Sequence, residues 1–486
     1  MNPSSSLRAM GPPRRGRGAR LLRGAARCVP PIGGIAGPLA ALWAALWAGP
    51  APVAADAALH LSLDECLDLA LEQSSRLVQQ QYTTQVADLQ VTSARNTFLP
   101  SANASYGYSG QRSGPREGAY VDPATGLLVT GLSESKTSSS QSVGANVSMT
   151  LYDRGAWGRL AASKEGRRAA EMDQRQARLQ VALEVKRGYF ALLQAAELLE
   201  VQGEQVRLLE ETLRRAEALH EMRSAPVSDV LSARANLASA RAGLIQRENS
   251  VEVARADLAL TLGLEAGHRL VAAQTDFAVE PVGLTAAAAV ERALATHPEL
   301  VSQKHSILQA REEIDATRYG VLHPSVRASA SYNWRVASDE DFGGVEDLIL
   351  KNYGLGFGVS ASLPLFDRRG TSTSLKIQQL NYRRSLEAYE QARREASAAV
   401  TQALSTLAQL GRSIEANGIA VRASEESFRL AQERYDVGTG TFLERLQAQT
   451  SLFEARSSLV RATYDYHIQL AVLEEAVGGN LQPGGE

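Results

Sequence analysis

Few residues of this 486-residue chain are spaced for covalent chemistry. Its seven histidines form no His-Glu-x-x-His or other close metal pair. No Ser/His/Asp set, Cys/His pair or phosphate loop stands out. Gly354, Gly356 and Gly358 imitate a nucleotide loop, but they lie inside a strand-like run with no helix start behind them. The carboxylates are scattered along helix faces, where solvation is the default. The groups that could act lie beside two turns. Thr441-Phe442-Leu443-Glu444 is a capping box, with the glutamate reaching back to the first amides of a helix. Asp229 follows Pro226 at a helix start, where the dipole favours an acid. Tyr435 closes a series of apolar residues spaced by seven and so continues a packing seam. This set points to no enzyme and no cofactor.

Those turns belong to a repeated plan. From Tyr353 to Leu365 apolar residues alternate with small or polar ones, the period of a strand with one dry and one wet face. From about Thr371 the period changes: Leu407, Ile414, Val421, Phe428 and Tyr435 recur by sevens, the mark of helices in a left-handed supercoil. The same join occurs earlier. Val143 to Leu151 alternate, and Leu151-Tyr152-Asp153-Arg154-Gly155 matches Leu365-Phe366-Asp367-Arg368-Arg369-Gly370. The sevens Leu192, Leu199, Val206 and Leu213 then stand 215 positions before Leu407, Ile414, Val421 and Phe428. The chain is a tandem duplication.

The spacing predicts a first repeat over 56–283, with a helix at 62–96, strands at 98–109 and 142–152, helices at 155–219 and 226–262, and a linker at 264–283 holding a short extended piece near Phe277 to Val279. A second repeat over 284–478 has a helix at 285–318, strands at 325–335 and 353–366, and helices at 370–436 and 441–477; residues 479–486 are a tail. The Gly/Ser/Thr-rich stretch Gln111 to Gln141 reads as a long mobile loop, and Ala337 to Lys351 as an acidic one.

Residues 1–55 read as a secretory signal: seven arginines, an apolar core from Ile35 to Ala48, and Val53-Ala54-Ala55 as cleavage site. Removing seven arginines and no acid takes the formal charge from −2 to −9, a poor balance for binding nucleic acid. Of the two cysteines only Cys66 would remain, too few for an internal disulfide. After the signal no stretch has the roughly 18 apolar residues of a membrane helix, so a place in a membrane would require a closed barrel.

Each alternating run is about ten residues, the length of a tilted membrane strand. Tyrosines and Trp334 lie near the run ends, as interfacial girdles would. A helix of about 65 residues spans on the order of 95 Å and equals two short helices laid end to end. Four strands cannot close a barrel whose smallest single-chain form has about eight, so copies must share one; three copies supply twelve.

The duplicated helix–strand–strand–helix–helix plan resembles the TolC family of outer-membrane efflux proteins. So do Leu365-Phe366-Asp367, Arg434-Tyr435-Asp436-Val437-Gly438-Thr439 and Leu446-Gln447-Ala448. The resemblance covers about Leu61 to Gly478. It implies a mainly α fold with membrane β: a tandem-duplicated, long-helix α-barrel in the periplasm, continued by a twelve-stranded β-barrel shared by a homotrimer in the outer membrane of a Gram-negative bacterium. It implies the passive outer-membrane channel of a tripartite efflux or type I secretion system. Partners would be outer-membrane lipid, a periplasmic adaptor (membrane fusion) protein and an inner-membrane pump.

In that family a tyrosine network and two aspartate rings close the periplasmic end. The tyrosine falls on Tyr435, one aspartate on Glu444 and the other on Gln447, so one acidic ring is missing. Asp229 is equivalent to Glu444 in the first repeat. The family's tip arginine falls on Gly440, and the glycine of the first tip on Arg223. The resemblance therefore assigns a gate or constriction to Tyr435, Glu444, Gln447 and Asp229, where a ring of like charges would attract cations. It assigns adaptor docking to the tips, Arg223, Ser224 and Pro226 in one and Val437, Gly438, Thr439 and Gly440 in the other. The alternative is a trimeric coiled-coil structural or adhesive outer-membrane protein; such proteins carry their barrel strands at the C-terminus, whereas here strands are internal and occur twice.

Overall fold

In the computed structural model of the chain the described residues are 59–115, 117–122, 124–132, 135–265, 270–273, 277, 279, 283–337 and 353–479. The expected signal at 1–55, the acidic stretch 338–352 and residues 480–486 lie outside them.

The first half runs β1 (Leu59–Leu61), α1 (Leu63–Gln73), α2 (Ser75–Asn96), β2 (Ser101–Ser113), β3 (Glu117–Val121), β4 (Leu128–Leu132), β5 (Lys136–Tyr152), α3 (Arg154–Glu221), α4 (Val227–Leu262) and β6 (Leu270–Ala272). The second runs α5 (Ala286–Thr296), α6 (Pro298–Leu322), β7 (Ser325–Ala337), β8 (Tyr353–Ser362), α7 (Gly370–Asp436) and α8 (Phe442–Val477). No described helix is long and apolar enough to cross a membrane.

Both strand-to-helix joins are set by an aspartate. Asp153 is the N-cap of α3 and accepts from Ala156 N at 3.0 Å. Asp367 accepts from Thr371 N at 2.6 Å, but it stands two residues before the α7 N-cap. The extra residue of the second join is taken up by Arg368 and Arg369, both left-handed at φ 54° and 68°.

The 68-residue α3 and the 67-residue α7 each reach about 100 Å. Nearer the sheet, α3 lies between α2 and α6, and α6 also packs on α7; nearer the far turns, α3 lies between α4 and α8, and α8 packs on α7. The residues spaced by seven supply the seams: Leu192, Val206, Val230, Leu237, Leu258, Leu407, Leu452, Tyr466 and Leu473 are all buried.

Two expected single helices are each broken in two. The 62–96 helix divides at Ser74, whose ψ of 119° is extended. The 285–318 helix divides at His297, ψ 120°, ahead of Pro298, which disfavours helix in the residue before it. Both breaks face the end of another helix. A Cβ on Gly263 past α4 would lie 2.9 Å from Gln73 O, and one on Gly478 past α8 would lie 3.0 Å from His297 Cα. Stacking helices end to end leaves no room for a continuous backbone at those points. A short strand, β6 at Leu270–Ala272, pairs parallel with β1; the extended piece expected from Phe277 to Val279 includes residue 278, which lies outside the described residues.

The main sheet is antiparallel in the order β2-β5-β7-β8. The expected mobile loop from Gln111 to Gln141 is largely ladder: β2 continues to Ser113, β5 starts at Lys136, and β3 pairs with β4. Small hydroxyl residues read as loop, yet here they pair across strands, as Ser109 Oγ does with Ser140 Oγ at 2.8 Å. β8 stops at Ser362 rather than 366, because Pro364 has no N–H for a ladder. One face of the sheet carries Tyr106, Val147, Met149, Leu355, Phe357 and Val359, all exposed. The other carries Ser101, Asn103, Ser148, Ser329, Asn333 and Ser360, as the register requires.

Candidate functional site at the paired helical turns

Both long helices end in the same turn. After α3, Arg223 N donates to His220 O and Ser224 N to Leu219 O, each at 2.8 Å. After α7, Gly438 N donates to Tyr435 O at 3.1 Å and Thr439 N to Arg434 O at 2.9 Å. Such nested bonds satisfy the last carbonyls of a helix when the residue past the cap is left-handed. Gly438 adopts that conformation at φ 77° and Arg223 at φ 58°. Gly440 is tightly packed: a Cβ there would lie 3.0 Å from Arg434 Cβ and 3.1 Å from Arg434 C. A side chain at 440 would therefore require Arg434 and the start of the turn to shift by a few tenths of an ångström.

The helices leaving the turns are capped differently. Pro226 is the N-cap of α4, and Asp229 N donates to Pro226 O at 3.2 Å. Thr441 caps α8: Glu444 N donates to Thr441 Oγ1, and Thr441 N donates to Glu444 Oε2, both at 3.2 Å. The capping box is thus formed, with the Glu444 carboxylate turned back on its own helix start.

A cleft of about 700 Å³ separates the two turns. Ser224, Pro226, Asp229, Tyr435, Gly438 and Gly440 line it. Arg223, Val437 and Thr439 are exposed outside that lining, and so are Glu444 and Gln447 on α8. The structure therefore joins Asp229 to Tyr435 and leaves Glu444 and Gln447 apart from them within one chain.

Tyr435 is half-buried, its ring centroid 6.0 Å from that of Phe442. Burial pushes its hydroxyl above the usual tyrosine range, and the Asp229 charge adds to this; Arg445 and Arg215 oppose it. Arg445 sits 5.6 Å over the Tyr435 ring and is only 4% exposed. Its Nη2 donates to Thr212 Oγ1 of α3 at 3.0 Å, and its Nε donates to Gln432 Oε1 of α7. Gln432 Nε2 donates in turn to the Asp436 carboxylate at 3.0 Å, and Arg215 pairs with Asp436 at 2.9 Å. Burial, then the nearby Arg215 charge, lowers the Arg445 pKa from the usual arginine value. Lower on α8, Arg456 bridges Glu204 of α3 at 3.0 Å and Glu425 of α7 at 2.8 Å.

Arg445, Gln432, Asp436, Arg215 and Thr212 were not marked by the sequence reading. One signal was present: Arg445 stands seven residues before Leu452, in line with Leu459, Tyr466 and Leu473. A charge on a packing seam is buried unless the seam ends, and a buried charge needs partners. The constellation offers no nucleophile with a base beside it. It offers ion pairs and hydrogen bonds that tie three helices together where they end. Among the described residues no His, Cys, Asp and Glu are grouped to hold a metal ion.

Comparison with known proteins gives this geometry a context. The family model described as "Outer membrane efflux protein" matches residues 66–264 and 289–479, one stretch in each repeat. The chain is 27% identical over 430 residues to outer membrane protein TolC of Vibrio cholerae, covering 86% of this chain and 90% of that protein. It is 26% identical over 349 residues to cation efflux system protein CusC of Escherichia coli K12, covering 70% and 73%. Its fold matches the crystal structure of the Campylobacter jejuni CmeC outer membrane channel with a TM-score of 0.72 at 20% identity, covering 86% of this chain and 85% of that one. With both repeats matched and the long-helix fold shared, the chain belongs to the TolC family of outer membrane efflux proteins and is a protein of the Gram-negative outer membrane.

Proposed function

We propose that this protein is a passive exit duct: three copies pool their strands into one twelve-stranded barrel in the outer membrane and continue it as a helical tunnel through the periplasm. The observation that carries this reading is the open sheet. β2 and β8 each pair on one side only among the described residues, and the apolar face between them is exposed. Unpaired strand edges are not tolerated in hydrocarbon, so β8 of one copy needs β2 of the next.

The turns at the far end form the periplasmic mouth. Tyr435 and Asp229 close it, with Glu444 and Gln447 around the constriction. The tip residues Arg223, Ser224, Pro226, Val437, Gly438, Thr439 and Gly440 meet a periplasmic adaptor, and an inner-membrane pump of a tripartite system supplies the energy. Residues 1–55 direct export, 56–283 and 284–478 are the two repeats, and 479–486 a tail. Membership of an efflux family disfavours the adhesive-stalk alternative.

The test is the mass of the detergent-solubilised protein together with single-channel conductance in a planar bilayer. A trimer that conducts is expected. A monomer, or a trimer with no conductance either as wild type or in a gate variant such as Tyr435→Ala, would overturn the reading.

A further inference from the structure

The four strands of the main sheet contain no aspartate or glutamate at all: β2 (Ser101–Ser113), β5 (Lys136–Tyr152), β7 (Ser325–Ala337) and β8 (Tyr353–Ser362). They do contain cations, and the register divides these between the faces. Arg327 pairs with Thr150 on one side and Ser360 on the other; Arg335 pairs with Ser142. Those partners belong to the wet face, in phase with Ser148, Ser329, Ser331 and Asn333. Arg112, by contrast, is in phase with Tyr106 and Tyr108 on the dry face. The wet face of each copy therefore carries neutral hydroxyls, amides and glycines plus the two guanidinium groups, and the register adds a third cationic position, Lys136 opposite Ser113, at the far end of β5. Both arginines are exposed, and among the described residues neither makes an ion pair.

In a membrane barrel the polar face lines the lumen and the apolar face meets lipid. Resting on the duct reading above, we infer that the barrel segment is an anion-favouring filter: Arg327 and Arg335 from three copies set two tiers of positive fixed charge with no negative group between them. The solutes it favours are anionic, such as organic carboxylates, sulfonates and phosphates, and small cations are disfavoured there. Fixed charges of one sign raise the local concentration of the opposite ion in a water-filled pore, as rings of arginine and lysine do in anion and phosphate pores. The two arginines lie about 27 Å apart along the strand, eight residues at roughly 3.4 Å each, which a barrel tilt of about 40° reduces to about 20 Å between tiers. The upper one, Arg335, is followed in sequence by the acids of 339–347, whereas Arg327 stands at the opposite end of β7. Arg327 is thus the cleaner probe.

The test is the reversal potential of the reconstituted full-length channel under a KCl gradient, comparing wild type with Arg327→Ser, with Arg327→Ser/Arg335→Ser, and with Arg327→Lys/Arg335→Lys. Any contribution from the helical mouth is common to all four, so the differences report the barrel. In about 10 mM salt, where screening extends over roughly 30 Å, the double serine variant should lower the chloride-to-potassium permeability ratio about twofold or more. The single variant should fall between, and the lysine variant should keep the wild-type ratio. In about 1 M salt, with screening over roughly 3 Å, the difference should vanish. Conducting trimers whose ratio does not move, or moves equally with lysine, overturn the filter while leaving the duct intact. A protein that conducts neither as wild type nor with Tyr435→Ala overturns the duct reading itself.

Discussion

Arg223 and Gly438 occupy the same position in two copies of one turn, and only one of them is a glycine. A left-handed backbone costs an ordinary residue about 1 kcal/mol relative to glycine. Arg223→Gly should therefore raise stability by about 0.5–1 kcal/mol, and Gly438→Ala should lower it by about 1 kcal/mol. Denaturant unfolding of the two variants checks this; equal effects in both turns would show that contacts, rather than backbone conformation, decide. No atom stands within 4 Å of a Cβ placed on Gly438, so the loss there is conformational and not steric. Single residues were unevenly legible in the sequence. Glu444 was, because a threonine three positions before a glutamate spells a capping box. Arg445 was not, because its partner Thr212 lies 233 residues away and Gln432 lies on the other helix of the turn, so no local pattern joins them.

Elements were legible where one period persisted and hidden where tertiary contact broke it. The alternating runs and the sevens lie on strands and long helices because a side chain every second or every seventh residue can stay on one face. The breaks at Ser74 and His297 answer to the ends of α4 and α8, which no local pattern announces, although Pro298 was a local warning. α8 also carries His467, only 6% exposed and stacked on Phe190 at 5.2 Å between centroids. Burial pulls its pKa below 6.5, with a hydrogen bond to the Phe277 backbone partly offsetting that. The unfolded chain therefore takes up a proton before the folded one does. Stability is complete above about pH 6.5 and declines as pH falls from there towards the depressed folded value. Thermal melts between pH 7.5 and 5 should show this slope, and His467→Phe should flatten it; an unchanged slope would assign the acid sensitivity to other groups.

For the whole molecule the decisive property is which side of the sheet meets lipid. Phe357 is 77% exposed on the dry face, while Ser329 lies on the wet one. Phe357→Lys should weaken membrane assembly by roughly 2–4 kcal/mol, as a lysine near the bilayer midplane does. Ser329→Lys should be tolerated. The yield of membrane-extracted trimer measures both, and equal loss from the two would mean the faces are assigned the wrong way round.

The end-to-end meetings of helices have a mechanical corollary. Beside each unbroken rod, α3 or α7, runs a stave spliced near Gly263 and Ser74 or near Gly478 and His297. A splice transmits compression but little bending, since no backbone hydrogen bonds cross it in helical register. Torque applied to the turns will thus travel up the rods and collect as flexure at the splices, and the short β1–β6 pair ties the chain entering α1 to the chain leaving α4.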